Sequence, residues 1–135
     1  MDTRVVLDTN ILISALGWGG KPERCLELVF EGEVDAYATQ DMISELSRVL
    51  EYDRFDFSED EKRSFLELVV AVLSFAESEI DIDVASDPDD NIFLECAVCV
   101  DADYIVSGDS DLLQLEDYDG VSILTAEEFL DKFDQ

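Results

Sequence analysis

Residues 4–16 read RVVLDTNILISAL, and two structural signals meet at Asp8 in the middle of this stretch. The short apolar run at residues 5–7 is rich in β-branched side chains and predicts a buried strand. Residues 10–16 predict a helix, which ends at the Gly-Trp-Gly-Gly break of residues 17–20. The opening stretch therefore predicts a strand that leads directly into a helix.

The same alternation continues along the rest of the chain. Further strands are predicted at residues 34–38, 104–107 and 121–124, with a short or edge strand around Ile80 and Ile82. Helices are predicted at residues 22–30, 40–50, 59–76, 91–100 and 126–133. Short apolar strands that alternate with helices predict a parallel sheet covered by helices on both faces.

Three polar signals mark helix starts. Thr39 suits the N-cap of the helix that follows the second strand. Ser58 with Glu61, and Thr125 with Glu128, have the spacing of capping boxes, in which each side chain bonds the other residue's backbone N–H. These signals predict helices that begin at Glu59 and Ala126.

Length and composition predict a single domain over residues 1–135. Apolar residues make up 47% of the chain, which is enough for a sizeable core. No apolar run approaches the ~20 residues that a membrane-spanning helix needs, so a membrane protein is not expected. The N-terminus lacks the pattern of a signal peptide, and there are only three cysteines. Both features predict a reducing cytoplasm.

The net charge is −27, from 35 acidic and 8 basic residues. A small soluble domain usually carries a net charge of about 2–8 in magnitude, and self-repulsion at −27 is destabilising at ordinary salt. At molar salt the Debye length is about 3 Å, and the repulsion is screened. The acids interrupt every predicted element, which favours adaptation to a salt-rich cytoplasm over a nucleic-acid mimic or a chaperone of basic proteins. The charge does not exclude a nucleic-acid substrate.

Acidic side chains are predicted to meet at one edge of the sheet. Sites in α/β sheets form outside the carboxyl ends of the strands. Asp8 closes the first strand, and residues 107–111, Ser-Gly-Asp-Ser-Asp, close the third. Asp90 begins the helix that leads into that third strand, and Glu45 lies in the helix after the second. Four to five carboxylates would converge there and would repel one another without a cation.

A hard divalent cation would resolve this repulsion, since oxygen ligands suit Mg²⁺ or Mn²⁺. The chain contains no histidine, which excludes imidazole ligands, a histidine base and any Ser-His-Asp triad. Water activated by the metal is the remaining nucleophile for hydrolysis. Capping of helices is an equally good explanation for Asp87, Asp89 and Asp111. It is a weaker one for Asp8, which has apolar neighbours on both sides.

Three segments resemble the motifs of PIN-domain nucleases. They are residues 5–12 (VVLDTNIL), 87–97 (DPDDNIFLECA) and 102–113 (ADYIVSGDSDLL), in the order of that family. The resemblance covers essentially the whole chain and is closest to the small prokaryotic VapC-like toxins of toxin–antitoxin pairs. It implies a three-layer α/β/α sandwich with a central, mostly parallel sheet, and RNA cleavage that depends on Mg²⁺ or Mn²⁺.

The resemblance also implies roles for individual residues. The four core acids of the family match Asp8, Glu45, Asp90 and Asp109. A further acid found in part of the family matches Asp111, and the positions that orient ligands or water match Thr9, Asn10 and Ser107. On this basis Asp8, Asp90 and Asp109 would hold one metal ion, with Glu45 and Asp111 shaping a second position. Glu51 competes with Glu45, and Asp89 with Asp90.

Basic residues are few, and six of the eight lie between residues 21 and 63: Lys21, Arg24, Arg48, Arg54, Lys62 and Arg63. Together they are a candidate surface for an RNA backbone or a partner, and Lys21, Arg24 and Arg48 are the candidates for substrate binding. Ion pairs with the many acids are the alternative. Trp18, in the glycine-rich break, could stack on a base or could simply pack the loop. The apolar face of residues 65–75 could support a homodimer.

Several functions would share this site. A nuclease that matures ribosomal RNA or cuts DNA would have the same acids as a toxin, which would also have an antitoxin protein as its partner. A non-catalytic PIN-like binding module would bind metal without turnover. A phosphatase with Asp8 as nucleophile is disfavoured, because the residue two positions later is Asn10 rather than aspartate. The prediction is therefore a metal-dependent endoribonuclease.

Overall fold

The computed structural model describes residues 3–85 and 87–133. Within them the strands are β1 Arg4–Leu7, β2 Asp35–Ala38, β3 Ser74–Phe75, β4 Tyr104–Val106, β5 Asp117–Tyr118 and β6 Val121–Leu124. They form one sheet in the order β3-β2-β1-β4-β6-β5. Neighbouring strands are parallel, except for the antiparallel pair of β5 and β6.

Helices flank this sheet. They are α1 Thr9–Gly17, α2 Gly20–Phe30, α3 Gln40–Leu50, α4 Glu59–Val72, α5 Asn91–Cys99, α6 Ser110–Leu113 and α7 Ala126–Phe133. A short 3₁₀ turn at Pro88–Asp90 leads into α5. A mostly parallel sheet flanked by helices confirms the predicted α/β fold. In the described part of the chain, none of these helices combines the length and apolarity that would be required to cross a bilayer.

The central strands are buried on both faces, which explains their continuous apolar sequences. Val5 and Val6 of β1 and Ile105 and Val106 of β4 have no exposed surface. The helix α5 packs against both strands. Its Leu94 is also fully buried, so the core extends from the sheet into this helix.

The predicted caps are confirmed. Thr39 accepts a hydrogen bond from the Met42 N–H at 3.3 Å and begins α3. Both bonds of a capping box are present between Ser58 and Glu61, at 2.9 and 3.1 Å. The same two bonds join Thr125 and Glu128, at 3.0 and 3.1 Å. Local side-chain chemistry therefore sets where these helices begin.

The predicted strand around Ile80 and Ile82 is wrong. Residues 76–85 contain no regular secondary structure. Their backbone N–H groups bond to side chains instead of to a strand: Ile82 donates to Glu95 Oε2 at 2.9 Å, and Ile80 donates to Ser78 Oγ at 3.2 Å. Side chains thus satisfy the donors that a sheet would have used.

The edge strand lies earlier than predicted, because α4 ends at Val72 instead of Ala76. Ser74 and Phe75 form β3 and pair with Tyr37 and Ala38 of β2. The sheet also has a hairpin that was not predicted, in which β5 turns into β6 at residues 119–120. Both turn residues have positive φ, which Asp-Gly sequences favour in tight hairpins.

The topology places the ends of two central strands side by side. β1 and β4 are neighbours in parallel register, with Leu7 opposite Val106. The Asp8 N–H continues this pairing by donating to the Val106 carbonyl at 3.1 Å. The residues that follow the two strands, Asp8 and Ser107, therefore emerge at the same edge of the sheet.

Candidate active site

Asp8 occupies the point where β1 turns into α1. Its side chain is only 2% exposed, and it caps α1 by accepting the Ile11 N–H on Oδ1 at 2.9 Å. Oδ2 accepts a short hydrogen bond from the Ser107 hydroxyl. Donors of this kind stabilise the charged form of a carboxylate that burial disfavours. They also hold the side chain in one orientation.

A chain of hydrogen bonds continues from Asp8 along the end of β4. Ser107 is fully buried, and its Oγ also accepts the Asp109 N–H at 2.9 Å. Asp109 in turn caps the short helix α6, because its Oδ1 accepts the Asp111 N–H at 2.9 Å. The two acidic segments are thereby connected through one serine hydroxyl.

The third acidic segment is shaped by its own side chains. Asp87 begins the 3₁₀ turn by accepting the Asp89 N–H at 3.0 Å. Asn91 Oδ1 accepts two backbone N–H groups, from Val84 at 3.2 Å and Ala85 at 2.9 Å. This fixes the approach of the loop to α5 and leaves Asp90 buried between them, with 7% of its surface exposed.

The carboxyl group of Asp90 is buried, and hydrogen bonds do not satisfy both of its oxygens. Its Oδ2 has no hydrogen-bond partner among the residues that the structure describes. Burial is the largest cause that raises the pKa of Asp90, to about 8, and a hydrogen bond with Asp109 and the charges of Asp109, Asp87 and Asp8 raise it further. Without a cation, Asp90 therefore holds a proton at neutral pH.

Burial also raises the pKa of Asp8, to about 6. The nearby charge of Asp109 acts in the same direction. The hydrogen bonds from Ser107 and Ile11 oppose it, because they stabilise the charged form. At neutral pH Asp8 is therefore largely ionised, while Asp90 is not.

All four predicted core acids line one cleft of about 200 Å³. The carboxylates on its wall are Asp8, Glu45, Asp87, Asp89, Asp90 and Asp109. Arg48, Arg54 and Tyr52 line the same cleft, together with Thr9 and Asn10. Six carboxylates around so small a volume form a strongly negative site that would attract a cation.

Three carboxylates form a set of potential metal ligands. One oxygen from each of Asp87, Asp90 and Asp111 lies within 4.8 Å of the other two. Oxygen ligands suit Mg²⁺ and Mn²⁺, and a cation would provide the partner that Asp90 Oδ2 lacks. The residues therefore fit a divalent metal ion. The set shares Asp90 and Asp111 with the predicted ligands and adds Asp87.

The two competing pairs of acids occupy different environments. Glu45 lines the cleft and accepts a hydrogen bond from Arg48 at 3.0 Å, whereas Glu51 is exposed and pairs with Lys62 at 3.2 Å. Asp90 is buried, whereas its neighbour Asp89 is exposed at the rim. The cleft therefore contains Glu45 and not Glu51, whereas it contains both Asp89 and Asp90, of which only Asp90 is buried.

Two of the predicted substrate contacts lie elsewhere. Within residues 3–85 and 87–133, the lining of the cleft does not include Lys21 or Arg24. Lys21 pairs with Glu127 of α7 at 3.1 Å, and Arg24 pairs with Glu31 at 2.8 Å. Arg48 is the one of the three that reaches the cleft. Lys21 and Arg24 thus form ion pairs within the fold.

The sequence does not assign Asp87 or Tyr52 to the site, and it places Arg54 only in the wider basic surface. Asp87 had a visible signal, since it precedes Pro88 at a helix start, but the same signal fits a cap. Tyr52 and Arg54 lie in the irregular segment between α3 and α4, where no periodicity indicates which way a side chain points. Only the folded chain brings them to the cleft.

Comparisons with known proteins agree with this fold. A family model described as "PIN domain" matches residues 4–111. Comparison with curated proteins finds no match. Among solved structures, the crystal structure of VapBC2 from Rickettsia felis bound to a DNA fragment from their promoter is similar, with a TM-score of 0.64. The match has 13% sequence identity and covers 90% of this chain and 97% of that chain, so the likeness is one of fold.

The three acidic segments meet at the carboxyl ends of β1 and β4, within the part of the chain that the family model matches. That match extends over far more than half of the 135 residues. The chain belongs to the PIN domain family.

Proposed function

We propose that the protein is an endoribonuclease that depends on a divalent metal ion, Mg²⁺ or Mn²⁺, and that it is the toxin of a type II toxin–antitoxin pair. The observation that carries this proposal is the acidic cleft, in which Asp90 is buried with an unpartnered oxygen beside Asp8 and Asp109. PIN domains are nucleases, and membership of that family supports a hydrolase. The net charge of −27 supports a salt-rich cytoplasm as its setting.

The metal would be held by carboxylates from the ends of β1 and β4 and from the start of α5. Asp90 would be a ligand in either of two sets. In the predicted set it acts with Asp8 and Asp109, and in the set whose oxygens lie close together it acts with Asp87 and Asp111. When bound, the cation would lower the pKa of a water molecule and offset negative charge on the phosphodiester.

The chain's own residues prepare this site. Ser107 and the Ile11 N–H keep Asp8 oriented and ionised. Burial and the neighbouring Asp109 raise the pKa of Asp90, so this carboxyl group would hold a proton when no cation is bound. Arg48 and Arg54 lie on the same wall and would attract the phosphate backbone toward the acids.

The test is cleavage of a mixed-sequence single-stranded RNA by the purified protein in molar KCl, which screens the repulsion of −27. We expect products with Mn²⁺ or Mg²⁺ and none with EDTA. A single-stranded DNA of the same sequence, run in parallel, tests the choice of RNA. Absence of metal-dependent cleavage of either polymer by folded protein would refute the nuclease assignment.

The toxin assignment has its own test. It is supported by family membership and by the likeness in fold to VapBC2. We expect a small protein encoded beside this one to bind it and to suppress RNA cleavage when the two are mixed. Size-exclusion chromatography of the protein alone reports whether it is a homodimer. A neighbouring product that leaves cleavage unchanged would argue for RNA processing instead.

Ser107→Ala is expected to lower cleavage by about 10–100-fold, the usual effect of losing a group that orients a metal ligand. The hydroxyl lowers the pKa of Asp8, so its loss raises that pKa. The acidic limb of the pH–rate profile should then move to higher pH. Ser64→Ala, an exposed serine on α4, serves as the control. A fall in rate with an unmoved profile would show that Ser107 only supports the fold.

A further inference from the structure

Beside the cleft lies a continuous set of aromatic rings joined by one guanidinium, here called the aromatic strip: Trp18, Tyr52, Arg54, Phe55 and Phe57. The Arg54 guanidinium lies over Phe55, 4.8 Å from the ring centroid, and 5.5 Å from that of Tyr52. Phe55 stacks on Phe57 at 5.8 Å and meets Trp18 edge to face at 6.1 Å. The strip therefore joins the loop after α3 to the loop after α1.

The strip is held firmly at both ends. Arg48 donates to the Tyr52 hydroxyl at 2.6 Å and also to Glu45, which ties one end to the wall of the cleft. Farther from the cleft, Phe57 lies so close to Gly17 that a Cβ on residue 17 would stand 3.2 Å from the ring. Glycine at position 17 thus permits the close approach.

The strip leads away from the acids toward solvent. Tyr52 and Arg54 belong to the lining of the cleft itself, and Trp18 at the far end is 70% exposed. A tryptophan with so much exposed surface contributes little to the core. Its exposure leaves a large aromatic face available to a ligand.

Arg54 differs in its contacts from the other basic residues of its region. Lys21, Arg24, Arg48, Lys62 and Arg63 each pair with an acid. In the described part of the chain, Arg54 forms no ion pair and lies over two aromatic rings instead. The Arg54 guanidinium thus contacts aromatic rings instead of carboxylates, although the chain has 35 acidic residues.

We propose that the aromatic strip is a binding site for the bases of single-stranded RNA, which it feeds into the acidic cleft. This proposal rests on the proposed function. Planar bases stack on aromatic and guanidinium faces, and such stacking does not require a net positive protein. Contacts between cations and phosphates weaken as salt rises, so a nuclease with charge −27 in a salt-rich cell gains most from stacking. Bases bound between Trp18 and Arg54 would place the adjoining backbone at the cleft.

The test is RNA binding in molar KCl with EDTA, where cleavage is not expected and repulsion is screened. The probe is a labelled mixed-sequence single-stranded RNA of about 10 nucleotides, within the usual range of site sizes. Trp18 is the only tryptophan, so its fluorescence reports on the strip directly. We expect the RNA to quench it and an abasic oligonucleotide of equal length to leave it unchanged.

Variants separate stacking from charge, with anisotropy of the labelled RNA as the measurement. Trp18→Leu is expected to weaken binding about tenfold with an unchanged salt dependence. Arg54→Gln should also reduce the slope of log affinity against log salt by about 0.7. Arg54→Lys keeps the charge and loses the planar face, so it should restore the slope but not the affinity. Phe75→Leu and Arg63→Gln, exposed residues elsewhere, are the controls and should bind as the unchanged protein does.

The outcomes distinguish this proposal from the nuclease assignment. If the unchanged protein, Trp18→Leu and Arg54→Gln cleave RNA equally, the proposed role of the aromatic strip is overturned. The nuclease assignment is then retained. Quenching of Trp18 by RNA with no cleavage in any metal would support the strip and refute the nuclease. RNA that leaves Trp18 fluorescence unaltered would also overturn the proposal and point to a protein partner on this surface.

Discussion

Asp8→Asn is expected to abolish metal-dependent RNA cleavage while the fold stays intact. The loss should exceed the 10–100-fold that removal of an outer-shell partner typically causes, because the change removes a negative charge from the proposed metal site itself. Asparagine has the same shape as aspartate, and its amide oxygen can still accept the Ile11 N–H. Its amide nitrogen can donate to the Ser107 hydroxyl. The cap of α1 and the contact between β1 and β4 are thereby kept.

The measurement is the rate of RNA cleavage in molar KCl with Mn²⁺, together with thermal unfolding of the same samples. Glu67→Gln is the matched control, since it removes one acid from an exposed position on α4. We expect the control to cleave like the unchanged protein, which shows that a change of one charge is not the cause. A folded Asp8→Asn protein with normal activity would contradict the role assigned to Asp8.

The second large effect concerns stability in the absence of metal. Asp90 has a raised pKa of about 8 in the folded protein, against an ordinary value of 3.8. The folded state therefore holds a proton that the unfolded state has already lost at neutral pH. It follows that the contribution of Asp90 to the free energy of unfolding is full below about pH 4 and is lost as the pH rises to about 8.

A divalent cation should reverse this loss. In the proposed site it would bind the ionised carboxylates of the folded state, so Mn²⁺ should raise the free energy of unfolding more at pH 8 than at pH 5. Stabilisation at 100 times the dissociation constant is about 2.7 kcal/mol. Chemical denaturation in molar KCl, with Mn²⁺ or EDTA at several pH values, measures both effects without any assay of activity.

Asp90→Asn tests the origin of both effects. With a neutral amide at this position, the metal-free protein should be more stable than the unchanged protein at pH 8. The remaining pH dependence should end near pH 6, where Asp8 titrates. Mn²⁺ should stabilise this variant much less. Glu67→Gln should keep the full pH slope and the full response to Mn²⁺; an Asp90→Asn protein that does the same would show that the effects arise elsewhere.

Most of the regular structure could be predicted because it depends on neighbours in sequence. The apolar runs of β1, β4 and β6 and the capping boxes of α4 and α7 act over a few residues, and the structure confirms them. The edge of the sheet could not be predicted in the same way. The backbone N–H groups of Ile80 and Ile82 donate to the side chains of Ser78 and Glu95. Glu95 lies on α5, 13 residues after Ile82, so a local pattern does not reveal this contact.

The candidate site shows the same division. Asp8 and residues 107–109 were identified because both follow strands predicted to be parallel, and parallel strands end at one edge. Glu45 reaches the same cleft on α3, which follows β2, and Asp90 reaches it at the start of α5, which precedes β4. The basic residues were less predictable, since the direction of a long side chain depends on which acid lies near it. Lys21 therefore pairs with Glu127 of the distant helix α7.

By itself, the sequence determined the alternation of strands and helices, the positions of the acids at strand ends and the absence of any histidine chemistry. These follow from local periodicity and residue type. Only the tertiary structure decided which oxygen of Asp90 is buried without a partner and which acids bring their oxygens within 4.8 Å of one another. It also decided which aromatic rings lie next to the cleft. Those properties depend on distances and burial between residues far apart in the chain, and packing alone sets such distances.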